Sequence, residues 1–300
     1  MSAVREEMIM TVQLRPSAVS LASFLALLAL CSSVQAVELD PKAVVFLKQE
    51  QFKWRDPTHK QPVNQTTLHG TPNGTGLYIN INAGKPNRFA QPHYHPNDRF
   101  IMVLKGPWWV GSSTTRDTSQ AVAMPPGTLV THYGKQVHWD GAKDDETFIY
   151  IIGEAPATNI PVKVPETTAP YAGLDPKVVS YIRPDQYKWR DPFHKSPTNQ
   201  VVLHGDPTKP GLYITLNRFS PGAFSRPHFH PNDRFIMVLK GTWWVGSGPK
   251  FDKDNTVPMP TGTFVTHFGR GIHYDGAKDD EVMVLITGMG PATSTQVKQD

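Results

Sequence analysis

The stretches with the most chemistry are "PHYHPNDRF" from Pro92 to Phe100 and "PHFHPNDRF" from Pro227 to Phe235. In an extended strand residues two apart share a face, so His93 projects with His95 and His228 with His230. Paired imidazoles on one face are the beginning of a transition-metal site. The same parity, carried straight past the proline, brings Arg99 and Arg234 to that face as well. A third imidazole must then come from another strand. His273, just after the turn "FGRGI", is better placed than His267 just before it, and His138 and His132 hold the corresponding places in the first half.

These pairs belong to a repeat that covers most of the chain. "FKWRDPTHKQPVNQTTLHG" from Phe52 returns as "YKWRDPFHKSPTNQVVLHG" from Tyr187, and "HWDGAKDDE" from His138 as "HYDGAKDDE" from His273, always 135 residues on and without insertion. All 12 histidines have a counterpart, whereas "SSTTRDTSQAVAM" and "SGPKFDKDNTVPM" share little. The retained positions are therefore held by folding or by chemistry. Each copy carries strand-like runs such as "GLYITLNRF" and "RFIMVLKGTWWVG" between Gly, Pro and Asp, with no amphipathic helical stretch of useful length. An all-β chain with two antiparallel barrels or sandwiches is expected. The adjacent tryptophans 108–109 and 243–244 should send one ring of each pair to the core and the other to the opposite side.

The 300 residues, 39% hydrophobic and 19% charged, suit two ordinary domains. The net charge of +4 comes without a basic run or basic helix face, so no nucleic-acid partner is expected. Residues 1–36 read as a signal peptide: Arg15 precedes "SAVSLASFLALLALCSSVQA", an apolar segment ending in Val34-Gln35-Ala36, with cleavage expected near Ala36 and a secreted or periplasmic destination. The mature chain then has no membrane span. The one cysteine, Cys31, falls in that leader, so the mature chain has no disulfide or thiolate, and a metal must be held by His, Asp, Glu or backbone. Residues 37–158 form the first copy, 159–171 a Pro/Thr-rich linker and 172–300 the second.

The segment Gly222 to Gly241 reads G-x5-H-x-H-x3-R-x6-G, which resembles the first cupin motif with arginine in the place of its usual glutamate. Gly262 followed eleven residues later by His273 resembles the second motif, with Phe268 and Arg270 in place of its usual proline and glycine. His93, His95, Arg99, Gly106, Gly127 and His138 match in the first copy, although Asn87 stands at the opening glycine. The resemblance implies two tandem cupin jelly-roll barrels, each holding one divalent transition metal on His93, His95 and His138 or on His228, His230 and His273. Fe(II) is favoured for such a neutral donor set, with Mn, Cu, Ni or Zn as alternatives. His132 and His267 then serve as a fourth ligand for the lost glutamate, as groups that orient a ligand, or as proton carriers. Arg99 and Arg234 either bind an anionic substrate or form ion pairs with Asp98, Asp233 or a carboxylate of "DGAKDDE".

The site resembles three-histidine cupin dioxygenases, which implies an oxidoreductase acting on a small anionic or enolic substrate. A non-catalytic bicupin that captures a metal complex or small organic acid is the other reading, and a homo-oligomer is compatible with either.

Overall fold

The computed structural model describes residues 38–163 and 173–298. The apolar leader, its cleavage position and most of the linker lie outside the described residues. Among those described, no helix is long and apolar enough to cross a membrane.

Each half builds a six-stranded sheet facing a smaller one. The first large sheet runs Val179–Ile182, Leu129–His132, Arg99–Lys105, Thr147–Ala155, Gly76–Gly84 and Val63–His69; the second runs Val44–Leu47, Phe264–His267, Arg234–Lys240, Val282–Gly290, Gly211–Phe219 and Thr198–His204. The opposing sheets are Arg88–Phe89, Trp139–Ala142, Trp108–Gly111, Val122–Met124 and, in the second half, Val257–Pro260, Thr242–Ser247, His273–Ala277, His228–Phe229, Thr295–Gln296. The centre of the run "RFIMVLK", Phe-Ile-Met-Val, is apolar without alternation because both its faces are covered. Ile101 and Val103 enter the first barrel, while Phe100 and Met102 join the cluster shared by both halves.

The sheets do not divide where the sequence repeat divides. Val44–Leu47, from the first copy, pairs antiparallel with Phe264–His267 of the second, and Val179–Ile182, from the second, pairs with Leu129–His132 of the first. Each copy thus lends its leading strand to the other. The two large sheets also pack back to back through Ile79, Phe100, Met102, Phe235, Met237 and Phe264. The contact is pseudo-twofold: His69 lies on Phe235 and His204 on Phe100, each with ring centroids 3.9 Å apart. These two histidines therefore serve the interface between barrels.

Two further segments matter for the site. Ile160 and Pro161, at the start of the stretch expected to be linker, pair with Tyr94 and His93, and Gln296 pairs with His228 in the second half. In "DGA", a Cβ on Gly141 would lie 2.1 Å from the Arg88 carbonyl, and one on Gly276 would lie 2.2 Å from that of Ala223. Glycine there lets the strand carrying Asp140 or Asp275 pack closely on its neighbour.

The exchange predicts the behaviour of half a chain. Residues 38–163 expressed alone should form a homodimer in which each Val44–Leu47 covers the other copy's Leu129–His132, reproducing the twofold contact. Sedimentation equilibrium should give twice the fragment mass, and a folded monomer would contradict the exchange. In the full chain, Phe235→Ala should lower the urea unfolding free energy by about 3–5 kcal/mol.

Candidate metal centre

A single cross-strand register brings the two motifs together. His93 and His138 exchange backbone hydrogen bonds, each 2.9 Å, and His228 faces His273 in the same way. His95 and His230, two residues on, add the third ring. Ring centroids stand 4.9 Å (93 to 95), 4.6 Å (93 to 138) and 5.2 Å (95 to 138) apart in the first barrel. The second gives 4.9, 4.5 and 5.4 Å. In each triad one nitrogen per ring lies within 4.8 Å of the other two.

Backbone carbonyls determine which nitrogen that is. The Nδ1–H groups of His93, His95 and His138 donate to the carbonyls of Gln91 (2.7 Å), Thr158 (2.8 Å) and Gln136 (3.0 Å). His228, His230 and His273 donate likewise to Arg226 (2.7 Å), Thr293 (2.9 Å) and Gly271 (2.9 Å). A carbonyl only accepts, so the proton sits on Nδ1 and the Nε2 lone pair turns inward. The Nε2 atoms of His138 and His273 are buried without a partner, and those of His228 and His230 face each other at 3.1 Å. Burial, followed by the charge of Arg99 or Arg234, lowers the pKa of His95 and of His230 to about 3. Burial also holds His138 and His273 well below the usual range. Three imidazoles whose Nε2 atoms converge in a buried interior fit a divalent transition metal.

Arg99 and Arg234 stand opposite His132 and His267 across the ladder and share the interior face. Nη1 of Arg99 donates to His95 Nε2 at 2.5 Å, and Arg234 does the same to His230 Nε2. Tyr78 accepts from Arg99 Nε at 2.9 Å, while Arg234 Nε has no partner. The guanidiniums make no ion pair among the described residues. Asp98 and Asp233 instead accept from the backbone of Gly134 and Gly269, so they hold the turn inside the second motif, just before its histidine.

His132 and His267 join the site. Both are buried, stacked on Trp108 and Trp243, and 3.9 and 3.8 Å from the rings of His138 and His273; their Nε2 atoms have no partner. The outer tryptophans face away and are capped by Lys143 and Lys278.

Two functional candidates did not follow from the histidine pattern: Asp140 and Asp275, which lie with His132/His138 and His267/His273 inside one 4.8 Å donor group each. The available signal was parity, because each follows a triad histidine by two residues on a strand. Burial raises both carboxyls above the usual range, opposed chiefly by His93 and His228 and then by the two arginines. The cavities measure about 540 Å³ and 490 Å³. Arg55, Arg88 and Arg99 line the first with Asp140 as its acid, and Arg190, Arg218 and Arg234 line the second with Asp275.

A pH dependence follows for metal-free protein. Six site histidines have pKa values depressed by folding, so between their folded values and about 6.5 the unfolded chain binds more protons, and stability falls as pH falls. Asp140 and Asp275 act with the opposite sign, two against six. Urea midpoints should drop from pH 7 to pH 5, with about 1.4 kcal/mol per pH unit for each net proton. A flat profile would refute the neutral-imidazole assignment.

No protein-family model matches the chain, and no curated protein matches it by sequence. Solved structures do. The oxalate decarboxylase of Lactobacillus farciminis, in a formate complex, superposes with a TM-score of 0.59 at 12% identity, covering 87% of this chain and 90% of that one. A cupin 2 conserved barrel domain protein from Leptotrichia buccalis gives 0.57 at 13% identity over 84% and 99% of the two chains. A deletion mutant of Bacillus subtilis oxalate decarboxylase gives 0.58 at 12% over 87% and 80%. With the sheets described above, these likenesses place the chain in the cupin fold: an all-β protein of two tandem jelly-roll barrels.

Proposed function

We propose that the chain is a secreted, metal-dependent bicupin that binds a small anionic or enolic substrate and acts on it as an oxygen-using oxidoreductase. The observation that carries this reading is the contact of Arg99 and Arg234 with the Nε2 atoms of His95 and His230. Each guanidinium lies on the Nε2 lone pair that a metal would take, so a bound metal displaces its N–H donors toward an anion held beside that metal. Arg55, Arg88 and Arg99 against Asp140 line the first cavity, and Arg190 and Arg234 against Asp275 line the second, where Arg218 is paired with Glu281; both balances favour entry of a negative ligand. Structural neighbours named for oxalate and formate are in keeping with a small carboxylate, and manganese centres are named for one of them.

His93, His95 and His138 would hold the metal in the first barrel and His228, His230 and His273 in the second. Fe(II) or Mn(II) there would supply Lewis-acid polarisation and one-electron chemistry. The guanidiniums of Arg99 and Arg234 bind a carboxylate or enolate through parallel N–H donors and fix its orientation. The unpartnered Nε2 atoms of His132 and His267 give each barrel a further inner nitrogen, available to a proton of the substrate where no metal takes it. Trp108 and Trp243 close the wall behind these rings and exclude water.

Capture of an organic acid without turnover is the second reading, favoured by the guanidinium lying on a ligand lone pair. Export is supported by the apolar leader alone.

Mature protein should carry about one transition-metal ion per barrel by elemental analysis, and His93→Ala/His228→Ala should lose most of it. Under the enzyme reading, oxygen uptake with a panel of small carboxylates and diketones disappears in that variant; binding without uptake supports the capture reading. Arg99→Gln/Arg234→Gln should keep the metal and weaken carboxylate binding roughly 10- to 100-fold. Metal content below about half an equivalent per chain would sink both metal-based readings. N-terminal sequencing of the exported protein should begin at Val37.

A further inference from the structure

The triad leaves several groups in each barrel unexplained. His132 Nε2 and His267 Nε2 are buried polar atoms with no partner. Asp275 is buried and Asp140 partly so, yet neither makes an ion pair among the described residues. Interior carboxylates without a cation are costly, as are interior nitrogens without a donor. These groups are not scattered: a nitrogen of His132, a nitrogen of His138 and an oxygen of Asp140 lie within 4.8 Å of one another, and His267, His273 and Asp275 repeat the arrangement.

A two-histidine, one-carboxylate group with open positions is itself a donor set for a divalent transition metal. It shares His138 or His273 with the three-histidine set, so one ion can be reached from both. Register explains how the group arises: Asp140 follows His138 by two residues and faces the same interior, while His132 ends the strand that precedes the turn. The arginines make the carboxylate useful, since a divalent ion beside a fixed guanidinium needs a negative group on another side.

We propose that Asp140 and Asp275 supply the anionic metal ligand that Arg99 and Arg234 do not, with His132 and His267 completing the donor set from the neighbouring strand. This rests on the metal-binding reading above. The carboxylate comes from the second motif's strand, two residues past its histidine, and the first motif's strand is left free to present a cation to the substrate. The two charges enter from different sheets, Asp140 on the strand 139–142 with His138 and Arg99 on the strand 99–105 beside His132.

Cobalt(II) titration of the full mature chain tests this, because its visible absorption reports the ligands directly. Asp140→Asn/Asp275→Asn should weaken Co(II) binding at least about 10-fold and change the band positions and intensity, while the three-histidine set still retains some metal. Metal-free stability gives a second readout. Replacing a carboxyl that has no ion pair by its neutral amide should leave the metal-free urea midpoint unchanged or higher and should shrink the increase produced by Co(II). A structural carboxylate would instead lower the midpoint with and without metal. Wild-type affinity and spectrum in the double variant would overturn the proposal while leaving the triad intact. Failure of the wild-type chain to bind Co(II) at all would instead overturn the metal-binding reading on which it rests.

Discussion

In each barrel three backbone carbonyls accept the Nδ1–H groups of three histidines, and much of the architecture exists to deliver those carbonyls. In the first barrel they belong to Gln91, Gln136 and Thr158, which enter from the turn before the His93 strand, the turn before His138 and the tail of the repeat. The second barrel uses Arg226, Gly271 and Thr293 from the same three places. Each bond is an ordinary hydrogen bond, but together they select one tautomer on every ring and direct three lone pairs to one point. A ring released from its carbonyl could place either nitrogen inward, and the convergence would be lost. Docking of the tail, through Ile160 on Tyr94 or Thr295 on Phe229, is therefore part of the metal centre as much as of the fold.

The strand exchange couples the two centres mechanically. His132 sits between Arg99 of its own barrel and Val179 of the other copy, and His267 sits between Arg234 and Val44. A barrel alone would leave the strand bearing its histidine as an exposed edge with unpaired backbone groups. The partner's leading strand covers it. Half a chain therefore needs a second copy of itself to cover its histidine strand and to keep Phe100 or Phe235 from water.

Much of this was legible in the residues. Period-two spacing placed both histidine pairs and both arginines on the interior face, and the repeat located His138, His273, His132 and His267. The exchange was not legible, because "LDPKAV" and "LDPKVV" are near-copies and either leading strand satisfies either partner by local sequence. The tail was obscured for a related reason: a proline-rich stretch reads as a connector, and two paired residues carry too little pattern to stand out. Asp140 followed the same parity rule as the histidines, but it stands in a segment with three further acids, where exposure rather than type separates the interior carboxylate from the solvated ones. Of the two readings open for Arg99, pairing with Asp98 is not the one seen, because Asp98, just before the strand, turns to the Gly134 amide.

Charge accounts for the remaining arrangement. At an effective dielectric near 20, two unit charges about 6 Å apart interact by about 3 kcal/mol, so a divalent ion and a guanidinium at that separation repel by about 6. One carboxylate at a similar distance from the ion offsets that repulsion. Placing both charges on one strand would make them pair with each other and leave neither for metal or substrate. Placing Arg99 on the strand 99–105 and Asp140 on the strand 139–142 keeps them apart, with the histidines between. The separation explains why the arginine is tolerated in both copies beside a set of metal-binding imidazoles. It also leaves a net positive interior whose strongest unsatisfied demand is for an anion that can reach the guanidinium.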